Sequence, residues 1–182
     1  MWGLWGLVCV VSLALPTPTL ANEPEDTAGW QRVESRYCTL WVHPEIPLNR
    51  LNRQVSTWRV RPQMASAADT AEAQLAAKCD TLFRRAEELL DMYPPGIHVV
   101  IRVEREIQDI HNAHAAHYGF GTSAVAFYLL ENNTVYAAAG SVTESVLAHE
   151  MAHCVVDHYF GVRPPRKIEE MLAMFVDEHL RD

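Results

Sequence analysis

The residues His149-Glu150-Met151-Ala152-His153 decide both the fold and the chemistry expected of this chain. They follow the pattern H-E-x-x-H, in which the two histidines stand four positions apart. Because residues i and i+4 lie one above the other on an α-helix, both imidazoles can bind one ion from the same helix face. Glu150 would then lie beside the position of a bound water molecule. The spacing therefore predicts a zinc-binding helix that carries its own general base.

The residues around this pattern favour a helix. The run Ser141-Val142-Thr143-Glu144 predicts a capping box at its start, and Gly161 predicts its end. Apolar residues recur between them at helical spacing, which indicates a buried helix. Two histidines and a glutamate inside a buried helix need a polar partner, so we expect a metal ion rather than histidines that only fill the core. The apolar residues are Val142, Val146, Leu147, Met151, Val155 and Val156.

A catalytic zinc site needs a third protein ligand and an open position for water. The metzincin pattern would continue with glycine and histidine where this chain has Val156 and Tyr159, so that class is not favoured. Asp157 would lie about 12 Å along the helix axis from His149, too far to share the ion. We interpret Asp157 as an acceptor that supports the site or as a solvated helix end. The third ligand is therefore expected after Gly161.

The segment 164–176 resembles the second helix of gluzincin peptidases, and especially that of peptidase MA-like domains of secreted bacterial proteins. That helix opens with the pattern P-x-W-L-x-E-G-x-A-x-[YF], whose glutamate is the third zinc ligand. The matching residues of this chain are Ile168, Glu170, Ala173 and Phe175, and the departures are Lys167, Met171 and Met174. The resemblance covers the end of the chain, from the H-E-x-x-H helix onward. It implies that Glu170 completes a zinc site with His149 and His153.

Glu169 remains an alternative third ligand. On a helical wheel Glu169 falls within the apolar arc of this helix, whereas Glu170 lies near Asp177 and Glu178. The apolar periodicity therefore favours Glu169, whereas alignment with the gluzincin pattern, the family register, favours Glu170. The apolar arc consists of Ile168, Leu172, Val176 and Leu180.

The fold that the resemblance implies is α+β. A small mixed sheet packs on the zinc-binding helix, which is followed by the third-ligand helix, in a minimal zincin-like domain spanning 32–182. In the family, an outer strand of the sheet binds the extended substrate by strand addition. Sequence patterns predict the elements in order. They are a strand over 33–42, a helix over 70–92, a strand over 97–103, a helix over 104–116, and a hairpin of 123–130 with 134–139.

Three histidines on the helix before the hairpin, His111, His114 and His117, recur at a spacing of three residues. Each step of three drifts round a helix by about 60°, so the set does not predict a second metal site. We interpret the helix that carries these histidines as a solvated helix at the rim of the site. The following loop, with Gly119 and Gly121, is expected to border the cleft, where His117 or Tyr118 could reach a substrate carbonyl.

The N-terminus predicts export. No charged residue occurs from Trp2 to Leu15, and small residues precede a cleavage point after Ala21. We interpret 1–21 as a signal peptide and 22–31 as a flexible segment. The protein is therefore expected to be secreted or periplasmic, with membrane contact only if the N-terminal segment stays uncleaved.

The net charge limits the possible binding partners, and the cysteine content limits the possible disulfide bonds. The formal net charge of -8 and the lack of a basic patch argue against nucleic acid as a partner. In an oxidising compartment Cys38 and Cys79 are a plausible disulfide pair, and Cys154 is expected to be a small core residue.

The ligand set and the resemblance together predict a zinc metallopeptidase that acts on a peptide or protein substrate. Glu150 would take the proton of the attacking water and deliver it to the leaving amine. The chain ends soon after Glu170, so the group that holds the oxyanion is sought upstream, at Tyr136, Tyr128 or His117. One alternative is a catalytically inactive zincin-like binding module that retains the metal site. The other is a structural domain in which H-E-x-x-H is coincidental.

Overall fold

The computed structural model describes residues 27–60 and 69–182, which form an α+β fold with five strands and five helices. The predicted signal peptide, 1–21, and residues 22–26 of the predicted flexible segment lie outside the described residues. The elements are β1 Gln31–Glu34, β2 Cys38–Val42, α1 Leu48–Gln54, α2 Ala71–Leu90, β3 Val99–Glu104, α3 Ile107–Tyr118, β4 Ala126–Leu129, β5 Thr134–Ala138, α4 Glu144–Tyr159 and α5 Arg166–His179.

The five strands form one mixed sheet in the order β1-β2-β3-β5-β4. The central strands β2, β3 and β5 run parallel to one another, whereas β1 and β4 are antiparallel edge strands. After α3 the chain first forms the outer strand β4 and then turns back at Asn133, in a left-handed backbone conformation, to form β5. This order leaves β4 at the edge of the sheet.

Both faces of the sheet are covered by helices. The main core lies between one face and helices α2, α4 and α5, and includes Leu40, Ile101 and Met151. Helix α3 packs on the other face, where its Ile110 contacts alternate residues of β4 and β5. Because both faces are covered, the central strands are mostly apolar, and the two charged residues of β3, Arg102 and Glu104, form an ion pair with each other. Among the described residues, no helix is long and apolar enough to cross a membrane.

The first predicted strand, 33–42, is wrong in detail because it is a hairpin of β1 and β2. Ser35 makes the turn: its backbone N–H and its hydroxyl both bond to the carbonyl of Cys38, at 2.8 and 3.1 Å. Asp80 of α2 accepts the N–H groups of Arg36 and Tyr37 and ties the turn to the helix. The sequence prediction also omitted α1, whose seven residues pack Leu51 into the core.

Two further predictions are corrected by the structure. Helix α4 is capped by Thr143, whose hydroxyl accepts the N–H of Val146 at 3.2 Å, and not by Ser141, which ends a short 3-10 turn. Cys38 and Cys79 are free, fully buried thiols, and no disulfide joins them. The predicted hairpin of β4 and β5 and the predicted long helix α2 are confirmed within a few residues at their ends.

Candidate metal centre

Three side chains from α4 and α5 converge at one point. The Nε2 atoms of His149 and His153 lie 3.8 and 3.7 Å from Oε2 of Glu170. The three potential ligand atoms all lie within 4.8 Å of one another. Glu169, the alternative third ligand, points away from the histidines and binds Arg163 instead. The structure therefore brings together the three residues that the family register nominated.

The three side chains fit a zinc ion in donor chemistry and in spacing. Two imidazole nitrogens and one carboxylate oxygen are the donor set of many catalytic zinc sites. Tetrahedral zinc with bonds of about 2.0 to 2.2 Å separates its ligand atoms by about 3.4 Å. The spacings at His149, His153 and Glu170 are slightly wider, so small side-chain movements would allow all three to bind one ion. The group can therefore hold a metal ion.

The local sequence explains why these side chains face one another. One side of α4 is buried in the core through Leu147, Met151 and Val155, which turns His149 and His153 toward the cleft. The side chains of His149 and His153 are 25% and 14% exposed, and that of Glu170 is 41% exposed. The site is thus open to solvent mainly on the side of α5, as a site that admits a substrate must be.

Burial keeps the second histidine neutral. Burial, followed by the charge of His149, lowers the pKa of His153 to about 4. A histidine binds a metal through a neutral nitrogen, so no proton has to leave His153 near neutral pH before a metal binds. The metal-free site is therefore already in the protonation state that ligation requires at this residue.

Glu150 lies beside the histidines and is buried beneath the edge of the sheet. It is 8% exposed, and its carboxylate lies close enough to the backbone N–H of Tyr128 in β4 for that group to favour the ionised form. Burial, with a further contribution from the charge of Glu170, raises the pKa of Glu150 to about 8. In the metal-free site Glu150 therefore holds its proton near neutral pH, and a cation bound by the ligand group would offset the charge of Glu170 and favour the ionised carboxylate.

An ion-pair network supports the site from behind. Arg163 donates hydrogen bonds of 2.6 and 3.1 Å to the two carboxylate oxygens of Glu169. Its Nε atom also lies 3.2 Å from Asp157, whose side chain is only 2% exposed. Asp157 is therefore a buried member of this network and not a solvated helix end. Arg163 did not stand out in the sequence, because nothing in its local pattern distinguishes it from a solvated loop residue.

A cleft of about 450 Å³ surrounds the candidate metal centre and passes round the outer edge of β4. It brings the metal-ligand group together with residues from the end of α3, from β4 and from the loop before α5. Outside the ligand group, the lining includes His114, Tyr118, Phe120, Ala126, Phe127 and Arg163. Of these, Tyr118 was expected from the sequence to border the cleft, beside the loop at Gly119, whereas Arg163 was not.

The three residues suggested for the oxyanion role lie in different places. Tyr128 lines the cleft, but its hydroxyl lies 2.9 Å from Oδ1 of Asn133, to which it can donate. Tyr136 stacks on Phe127 on the α3 face of the sheet, and His117 lies beside Tyr136. Among the described residues, neither Tyr136 nor His117 belongs to the lining of the cleft. The cleft brings Tyr118 to this region instead.

His114 is also placed differently from the solvated rim that the sequence indicated. It is 7% exposed and lies among three aromatic rings, those of Tyr118, Phe120 and Phe127. The sequence feature that could have indicated this burial is the group of aromatic residues at the end of α3 and in the following loop. A loop has no periodicity, however, so their convergence on His114 could not be predicted.

Comparisons with known proteins identify no relatives of this chain: no family model matches it, and neither curated proteins nor solved structures give a significant match.

Proposed function

We propose that this protein is an exported, zinc-dependent metallopeptidase of the gluzincin type. The observation that carries the proposal is the convergence of His149, His153 and Glu170 beside the buried carboxylate of Glu150. The proposed ligands are two imidazoles from one helix and a carboxylate from the next, on an open cleft. This arrangement leaves room for water and for a substrate, as a catalytic zinc site does.

The chemistry divides between the metal and the protein. Bound zinc would lower the pKa of a water molecule toward about 7 and polarise the carbonyl of the substrate. Glu150 would accept the proton of the attacking water and return it to the amine of the leaving peptide. The nearby backbone N–H of Tyr128 favours the ionised form of Glu150, the form that can accept a proton. His149, His153 and Glu170 serve as ligands and take no proton.

The outer edge of β4 offers a binding place for an extended peptide. The carbonyl of Val125 accepts the N–H of Ala138 at 3.1 Å, so Val125 faces inward toward β5. Because backbone groups alternate along a strand, Ala126 and Tyr128 face outward, toward the cleft. The N–H of Tyr128 lies near the Glu150 carboxylate, so Ala126 is the residue of β4 available to pair with a substrate by strand addition. This places the substrate backbone next to the general base.

The proposal is tested by metal analysis and peptide hydrolysis of the purified protein. We expect about one zinc per chain and cleavage of peptides from a diverse library that a chelator abolishes. Glu150→Gln should retain zinc and lower hydrolysis by about 100-fold or more, because it keeps the shape and removes the base. Glu178→Gln, at an exposed position of α5, is the matched control and should leave both properties unchanged. Hydrolysis that Glu150→Gln does not alter would disprove the assignment.

The second candidate is a binding module that keeps the metal site without catalysis. It is motivated by the departures from the family pattern at Lys167, Met171 and Met174, all of which are exposed on α5. A protein that carries stoichiometric zinc and cleaves no peptide would favour this function. A protein that binds no zinc would favour the purely structural domain.

A further inference from the structure

Four rings form one wall of the cleft. They belong to His114 and Tyr118 at the end of α3, to Phe120 in the following loop, and to Phe127 in β4. The imidazole of His114 lies 5.2 Å from the ring of Phe120 and 5.1 Å from that of Phe127. Tyr118 lies 6.0 and 6.2 Å from the same two phenylalanine rings. These four residues are called the aromatic wall below.

The aromatic wall is held in position although half of it faces solvent. His114 and Phe127 are buried, whereas Tyr118 and Phe120 are 40% and 57% exposed. Gly119, with φ 76°, ends α3 and turns the chain back so that Phe120 returns over His114. The Phe120 carbonyl lies 3.1 Å from Nδ1 of His114, and because a carbonyl only accepts, Nδ1 donates. The buried His114 therefore holds the exposed rings of Tyr118 and Phe120 in position.

The position of the wall relative to β4 determines what would contact it. Side chains of residues paired across neighbouring strands point to the same face of a sheet. Phe127 points to the α3 face, whereas Ala126 and Tyr128 point toward α4. In a peptide added to β4, the residue paired with Phe127 would therefore direct its side chain onto the aromatic wall. Its two neighbours would point toward the helix that carries His149 and His153.

We propose that the aromatic wall is a subsite that binds an aromatic side chain of the peptide substrate, a proposal that rests on the peptidase function proposed above. An aromatic side chain would cover the exposed faces of Tyr118 and Phe120 and meet rings in the offset or edge-on geometry that aromatic pairs prefer. Small or charged side chains at the same place would leave this apolar surface in water. The protein should therefore select substrates by one residue near the cleaved bond.

The test uses a peptide with a known cleavage site. At each position around that site in turn, the residue is replaced by Phe, Ala or Glu, and the rest of the peptide stays the same. We expect at one position a kcat/KM at least about tenfold higher for Phe than for Ala, and lowest for Glu. Phe120→Ala should reduce the ratio of Phe to Ala by about tenfold without changing zinc content. Tyr159→Ala removes an exposed aromatic ring outside the lining of the cleft and should leave the ratio unchanged.

The outcomes separate the subsite from the peptidase function. Hydrolysis that is equally fast for Phe, Ala and Glu at every position, or a ratio that Phe120→Ala does not change, would overturn the subsite and leave the peptidase standing. Where no peptide is cleaved, binding of the same peptides to the zinc-loaded protein is measured by calorimetry. Tighter binding of the Phe peptide, lost in Phe120→Ala, would support the subsite while the peptidase function fails. Equal binding of all peptides would overturn it.

Discussion

Arg163 binds both carboxylate oxygens of Glu169, at 2.6 and 3.1 Å, and this contact ties the first turn of α5 to the loop before it. Glu169 is buried and Glu170, the next residue, is turned by about 100° round the helix toward His149 and His153. A rotation of α5 that released Glu169 from Arg163 would also move Glu170 away from the histidines. Only the Glu169 end of this ion pair is buried, whereas the Arg163 side chain is 53% exposed. The pair thus helps to position the third member of the candidate metal centre.

Substitution of the two neighbouring glutamates should separate stability from metal binding. Glu169→Ala leaves Arg163 without its main partner and removes buried contacts, so the free energy of unfolding should fall by about 1 to 3 kcal/mol. Glu170→Ala removes an exposed potential ligand, so zinc affinity should fall by at least about tenfold while the metal-free protein unfolds almost as before. Denaturant unfolding with chelator and zinc titration measure the two effects.

The opposite pattern would contradict this assignment. If Glu169→Ala abolished zinc binding in a protein that remained folded, and Glu170→Ala did not, Glu169 would be the ligand. Glu178→Gln on the same helix controls for loss of a negative charge, and it should change neither measurement by more than the experimental error.

Asp157 should make the metal-free protein less stable as the pH rises. Burial, which Arg163 partly opposes and Glu169 reinforces, raises the pKa of Asp157 to about 6. The folded state therefore holds this proton more tightly than the unfolded state, where the pKa is about 3.9. By linkage, the contribution of Asp157 to the free energy of unfolding falls between about pH 4 and pH 6 and stays low above that range.

Asp157→Asn should remove this dependence. The amide keeps the size of the side chain and can donate to Glu169, so we expect a gain of about 1 to 2 kcal/mol at pH 7. The free energy of unfolding of both proteins, measured with chelator from pH 4 to 7, gives a difference in which the other titrating groups cancel. A difference that does not change with pH would show that the Asp157 carboxyl is ionised throughout the range.

The sequence correctly predicted those helices and strands whose own residues carry a strong local pattern. The apolar period of α4, the long amphipathic α2 and the turn residues between β4 and β5 each determine their own element, because helix and hairpin formation depend on neighbours in the chain. The turn at Ser35 was missed because the alternation of residues runs through it, and its support from Asp80 comes from a distant helix. Long-range capping of that kind leaves no periodic signal.

The candidate site was predictable only where one motif specifies it. The spacing of His149 and His153 is local, and the register of α5 nominated Glu170 through the family pattern. Arg163 and the aromatic wall reach the site because segments far apart in the sequence meet there. The spacing of residues along the chain therefore does not predict their place in the cleft. Apolar periodicity also favoured Glu169 as a buried residue, and the structure explains this: Glu169 is buried, but as the partner of an arginine.

The three buried cysteines should be unreactive in the folded protein. Burial raises the pKa of Cys79 to about 12, and burial also raises the pKa values of Cys38 and Cys154. Few thiolates therefore form near neutral pH, and iodoacetamide should modify none of the three until the chain unfolds. Mass spectrometry after unfolding without reductant should find all three alkylated. A mass deficit at Cys38 and Cys79 together would show that they form a disulfide in the exported protein.

Export should remove the N-terminal segment. The apolar run from Trp2 to Leu15, followed by small residues up to Ala21, is expected to direct secretion and to be cleaved near Asn22. N-terminal sequencing of protein recovered from the periplasm or the medium measures this directly. Protein that begins at Met1 and remains with the membrane fraction would show that the segment is an uncleaved anchor.

Tyr118 is the residue we expect to hold the substrate carbonyl. It lines the cleft, and burial raises the pKa of its hydroxyl, which therefore stays protonated and able to donate near neutral pH. The hydroxyl of Tyr128, by contrast, is engaged with Asn133. Tyr118→Phe keeps the ring in the aromatic wall and removes only the donor. We expect kcat to fall by about 10- to 100-fold with little change in KM or zinc content.

Kinetics on the Phe and Ala peptides distinguish this role from substrate selection. Since the ring remains, Tyr118→Phe should lower kcat for both peptides equally and preserve their ratio, whereas Phe120→Ala should change the ratio. Tyr93→Phe, at a position that is 58% exposed and outside the lining of the cleft, is the matched control. An unchanged kcat in Tyr118→Phe would exclude the hydroxyl from catalysis and direct the search to Arg163 and Arg166, two further hydrogen-bond donors that line the cleft.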